Sequence, residues 1–90
     1  MKYSGAAFEV ILSEKAERQL KKLDKSIQRR AIAVLERIRL RPEAHLQKLV
    51  DDPGFKLRIG DYRAIVDVDK QQKRIAVLKI GHRKNIYKNL

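Results

Sequence analysis

Polar and apolar positions alternate strictly through Phe55-Lys56-Leu57-Arg58-Ile59, the period of a strand with one face in a core. Gly60-Asp61 follows. Glycine reaches backbone angles closed to other residues and aspartate bonds its own backbone, so the pair predicts a tight turn. A returning strand, Tyr62 to Val68, then brings Arg63 close to Arg58 and Lys56 on the exposed face. Like charges opposed across strands repel. Folding alone gives no reason to gather them, and the cluster suggests a polyanion.

The same reading extends along the chain. Phe8 to Ser13 is short, apolar and β-branched, which predicts a first strand. Ser13 suits a helix N-cap, with Glu14 and Glu17 favouring the positive end of the helix dipole. Ala16, Leu20 and Leu23 then form one apolar stripe. After a break at Leu23-Asp24-Lys25-Ser26, Ile27, Ala31, Val34, Leu35 and Ile38 repeat at helical spacing up to Arg41, where Pro42 disfavours helix in the residue before it. Two helices of roughly 15 and 22 Å match a six-residue strand in length and can lie as a hairpin across one sheet face.

Residues 42–53 are expected to be a connector with a helical turn around His45 to Leu49. Asp69 to Lys73 reads as a polar hairpin loop. Arg74 to Ile80 is a nearly continuous apolar strand, ended by Gly81 and followed by a polar tail to Leu90. The expected architecture is a single α+β domain over 1–90, β-α-α-β-β-β, with an antiparallel helix hairpin packed on a small, mainly antiparallel sheet.

Ninety residues, 43% hydrophobic and 37% charged, allow one modest core. With no cysteine there is neither a disulfide framework nor a thiolate metal site. No apolar run approaches the ~20 residues that span a bilayer. The start, Lys2-Tyr3-Ser4-Gly5, lacks an apolar signal core, so a cytoplasmic protein with no membrane association is expected. The formal charge is +11, and residues 54–90 hold ten basic residues against three acidic. Such a field attracts nucleic acid, acidic membranes or an acidic protein.

A metal site would need carboxylates gathered around His45 or His82, and no spacing supports one; no cofactor motif is present, and Gly54 and Gly60 stand alone. Lys, Arg, Tyr and His82 are the groups left for chemistry. They suit cleavage of RNA, whose 2′-OH is an internal nucleophile. Arginines grip phosphate oxygens in two-pronged fashion, a lysine among cations gives up its proton more readily than an isolated one, and an aromatic ring stacks a base. Plainer roles stand beside these: solvent-facing strand positions for Lys56 and Arg58, an ion pair of Arg63 with Asp61, a core cap at Tyr87 and a surface histidine at His82.

The block from Lys56 to Val66, with Arg58-Ile59-Gly60-Asp61-Tyr62-Arg63 at its turn, and the later Gly81-His82-Arg83-Lys84-Asn85-Ile86-Tyr87 together resemble the RelE/ParE superfamily of toxin–antitoxin toxins, and most nearly its RelE branch. The resemblance implies a ribosome-dependent, metal-independent mRNA endonuclease that cuts in the ribosomal A site, paired with a RelB-like antitoxin. It assigns catalysis to Lys56, Arg63, Arg83 and Tyr87, and substrate binding to Arg58, Lys79, His82 and Lys84. The family pattern has a second lysine two residues before Lys56, where this chain has Gly54. The proton acceptor therefore stays open among Lys56, His82 and Arg58. A ParE-like inhibitor of DNA gyrase and a silent antitoxin-binding module are the other readings.

Overall fold

Ser13 is the hinge between the two layers of the molecule. In the computed structural model, which describes residues 7–50 and 52–86, its hydroxyl accepts the Ala16 N–H (3.0 Å) and caps the first helix. The element order among these residues is β1 (Glu9–Leu12), α1 (Glu14–Lys21), α2 (Lys25–Arg37), α3 (Pro42–His45), β2 (Leu46–Lys48), β3 (Phe55–Ile59), β4 (Tyr62–Asp69) and β5 (Arg74–His82). The strands form one sheet, ordered β1-β5-β4-β3-β2. β1 is parallel to β5 and every other pair is antiparallel. The α+β class and the two long helices on one sheet face are as the sequence predicts.

Three boundaries differ. α2 ends at Arg37, with Ile38 as its C-cap, rather than running to Arg41. Past Ile38 the chain turns to meet Phe8: the Phe8 N–H donates to the Arg39 carbonyl (2.8 Å), and Arg39 Nε donates to the Phe8 carbonyl (2.9 Å). Those bonds replace about one turn of helix continuation. The connector holds its helical turn earlier than expected, at α3, where proline's fixed φ suits the first position. It then supplies the fifth strand, β2, with Leu46 opposite Leu57 and Lys48 opposite Phe55. β5 continues past Ile80, because Gly81 and His82 still pair with Arg63 and Tyr62.

The core lies between the helices and one face of the sheet. Ala16, Ala31, Leu35 and Ile38 come from the helical layer; Leu57, Ile59, Ala64, Val66, Ile75, Val77 and Ile80 come from the sheet. Each large aliphatic side chain so buried contributes about 1.5–3 kcal/mol. α1 packs on β5 and α2 on β3.

β1 is shorter than β5, and α1 covers the difference. The Ser13 N–H donates to the Val77 carbonyl (2.8 Å), Ser13 Oγ donates to the Leu78 carbonyl (2.9 Å), and the Ile80 N–H donates to Gln19 Oε1 (2.7 Å). Backbone groups that a longer β1 would have paired are thus satisfied by side chains. They clamp a β-bulge. Ile65 lies opposite Lys79 while Val66 lies opposite Val77, so Leu78 is the extra residue.

Candidate phosphate-binding face

The other sheet face is where the cations gather. Strand alternation sends Leu57 and Ile59 to the core, and so Lys56 and Arg58 to the opposite side. Arg63 lies directly opposite Arg58 on the neighbouring strand, which places their Cβ atoms about 4.5–5.5 Å apart. On the far side of β4, Arg63 is opposite Gly81. One row further in, Lys56, Ile65 and Lys79 lie abreast across β3, β4 and β5.

The turn that fixes this register is a two-residue hairpin. Gly60 has φ +60° and Asp61 does not share the positive φ, the pattern of a type II′ turn with glycine first. Arg63 folds back on it: Nη1 donates to the carbonyls of Gly60 and Tyr62, both at 3.1 Å. Among the described residues Arg63 makes no ion pair, with Asp61 or otherwise. One guanidinium corner is anchored, and the other donors have no acceptor among the described residues. That leaves most of a five-donor fork for an anion.

Arg83 is drawn to the same end of the sheet. Its backbone N–H donates to the Asp61 carbonyl (2.9 Å), continuing the β4–β5 ladder one step past the strand. Arg63 and Arg83 therefore belong to one corner of the molecule, as a shared anion site requires. Past Arg83 the chain turns over, with Asn85 and Ile86 donating to the His82 carbonyl. Ile86 is 1% exposed and sits over Gly81, where a Cβ would meet its Cδ1 at 3.2 Å. Ile65, 4% exposed, is the other buried apolar residue outside the main core. The cationic face thus has a small dry floor of its own.

The remaining sequence-stated candidates fall in different places. Lys79 stands on this face, and its Nζ is shut off from solvent with no hydrogen-bond partner among the described residues. His82 has the core-side alternation of β5, half-buried, its ring edge-on to Tyr62 at 5.4 Å between centroids. Its Nδ1 accepts the Lys84 N–H (3.2 Å), which ties the ring to the corner. Lys84 is exposed in the turn after β5. Tyr87 lies outside the described residues.

Arg30 was not legible from the sequence. It comes from α2, yet its Nη1 would lie 2.7 Å from a Cβ on Gly60. Only docking of the helix on the sheet puts it beside the turn.

A groove of about 800 Å³ lies at the other end of the sheet, around Pro42, Phe55, Asp67, Val68, Asp69 and Ala76. Its lining mixes Glu43, Asp67 and Asp69 with Lys70 and Arg74, so it is not a cationic seat for a polyanion. The site is defined by charge and register rather than by this groove.

A two-layer α+β domain with arginines and lysines on its open sheet face presents a surface whose charge suits an anion. The family model for the ParE toxin of the parDE type II toxin–antitoxin system matches residues 10–87. The chain belongs to that family, within the RelE/ParE superfamily, and is the toxin of a type II toxin–antitoxin system. Its fold is similar to the toxin in the RelBE2 toxin–antitoxin complex of Mycobacterium tuberculosis (TM-score 0.76, 23% identity, covering 86% of this chain and 99% of that one). It is similar to the archaeal RelE–RelB complex of Pyrococcus horikoshii (0.71, 25%, 86% and 96%). It is also similar to the intact RelBE complex of E. coli (0.73, 25%, 84% and 96%). No curated protein sequence matches it.

Proposed function

We propose that this toxin is a ribosome-dependent mRNA endonuclease that cuts in the A site through the RNA's own 2′-OH. The observation that carries the reading is the shared corner: Arg58 and Arg63 opposed across one ladder, with Arg83 bonded to the turn between them. In the reaction the 2′-oxygen attacks the adjacent phosphorus and the P–O5′ bond breaks, leaving a 2′,3′-cyclic phosphate and a 5′-hydroxyl. Lys56 takes the 2′-OH proton. Arg63 and Arg58 hold the non-bridging oxygens as negative charge gathers there. Arg83 donates a hydrogen bond to the departing 5′-oxygen, which takes its proton from solvent. Tyr87 stacks on a flanking base and Lys84 borders the RNA path, while His82, on the core-side alternation of β5, braces the corner through Tyr62 and the Lys84 N–H.

The partner follows from the same surface. The core fills the space between helices and sheet, so a RelB-like antitoxin with an amphipathic helix and acidic residues would lie across the open sheet face and neutralise its cations. Ile11, Leu12 and Leu78 expose apolar surface near the β1 edge, so contact beneath the charge attraction has material to work with. Co-purification of the pair should survive high salt; complete dissociation in modest salt would contradict this.

The matching family model carries the name of a ParE toxin, which favours gyrase inhibition as the second reading. Purified toxin added in parallel to translating ribosomes and to a supercoiling reaction separates the two. Cleaved mRNA with unimpaired supercoiling is expected. Intact mRNA with blocked supercoiling would favour gyrase.

A further inference from the structure

We infer that Lys79 is the inner anion ligand of this face, the side chain that seats the scissile phosphate from the β5 side of Ile65. The identity of the anion rests on the endonuclease reading; the anion seat itself does not.

The first observation is the ammonium. Among the described residues, Lys79 Nζ is the buried side-chain nitrogen or oxygen left without a partner. Lys79 as a whole is half-buried, but its Nζ is covered, and a covered donor left unmet costs stability. Its three N–H donors have no acceptor among the described residues. A group kept under those conditions is explained by a ligand that brings the acceptor.

The bulge supplies the second observation. Ile75 and Val77 face the core, and simple alternation would put Lys79 there too, beneath the helices. The extra residue at Leu78 reverses the alternation, so that Ile80 faces inward and Lys79 faces outward, opposite Ile65. Bulges re-aim side chains in this way beside functional sites. This one is clamped on both sides of Lys79, by Ser13 on the Leu78 carbonyl and by Gln19 on the Ile80 N–H. The lysine's backbone is held in place before any ligand arrives.

The third is position. Lys79 and Lys56 flank Ile65 from opposite strands, their backbones two strand spacings apart, about 10 Å, which two lysine side chains can span. Asp67 and Asp69, the carboxylates further along β4 on this face, are opposite Ala76 and Arg74 rather than Lys79.

The test uses the full-length toxin, labelled with ¹³C at lysine Cε, and a trinucleotide of 2′-O-methyl RNA, which binds but cannot be cut. The Lys79 resonance should shift on titration. Lys79→Met should weaken binding at least tenfold, with a melting midpoint equal to or above that of the wild type, and Lys79→Arg should recover most of the affinity. Unchanged binding by Lys79→Met would overturn the inference. So would weakened binding accompanied by a lowered midpoint, the mark of a structural lysine. If the trinucleotide binds through Lys79 while wild-type toxin leaves ribosome-bound mRNA whole, the endonuclease reading falls and the anion seat stands. If Lys79→Met cuts mRNA at the wild-type rate, the seat falls and the endonuclease reading stands.

Discussion

Gly60 shows how one residue holds the cationic corner together. Its φ of +60° lies where other residues are strained, and the Arg30 guanidinium occupies the space a Cβ would enter. Gly60→Ala is therefore expected to destabilise by about 1–2 kcal/mol, measured as a fall in the urea midpoint. Gln19 acts from further away, accepting the Ile80 N–H that has no strand beside it. Gln19→Ala should cost about 1–3 kcal/mol, because a half-buried donor loses its acceptor; an unchanged midpoint would show that water replaces it freely. The pairing of Arg58 with Arg63 was legible in the sequence, since strict alternation and a two-residue turn fix the register between them. Arg30 and Gln19 were not. Their roles depend on where helices dock, and local pattern carries no such information.

At the scale of elements, the departures from pattern are the informative places. Ile75 to Ile80 reads as one apolar strand, and periodicity gives no sign that Leu78 is a bulge. The bulge needs the short β1 and the capping side chains of α1, which are more than 50 residues away in sequence. β2 was hidden for a simpler reason: three residues, Leu46–Lys48, are too few to display a period. The close approach of Ile86 to Gly81 is likewise a tertiary fact. It has a testable consequence. Gly81→Val should push Ile86 off the sheet at a cost of about 1–3 kcal/mol and displace the turn that follows Arg83. Cleavage should fall while α1 and α2 keep their helical circular dichroism signal. Full activity in this variant would mean the turn's seat on the sheet does not matter.

Across the whole molecule, charge is sorted by position. Down the outward side of β4, Arg63 gives way to Ile65 and then to Asp67 and Asp69, the last opposite Arg74, so the open face is purely cationic at the hairpin end and of mixed charge at the other. With a formal net charge of +11, such an arrangement draws in a polyanion and also orients it. Binding to single-stranded RNA should weaken linearly in log–log terms with salt, and Arg63→Ala should shallow the slope by about 0.7, one phosphate contact. An unchanged slope would take Arg63 off the phosphate path. The fold class and the cationic strand pair were visible in the sequence because both follow from short-range pattern. Which cations share a corner required the register of three strands.

That corner is tested most directly on ribosomes programmed with a defined mRNA, reading cleavage by primer extension with wild-type, Arg63→Ala and Arg83→Ala toxin at equal, folded concentrations. The wild type should cut in the A-site codon, and each variant should be slower by about 10²–10³-fold, the loss expected when one donor to developing charge is removed. Cutting by either variant at the wild-type rate, or none by the wild type, would contradict the assignment.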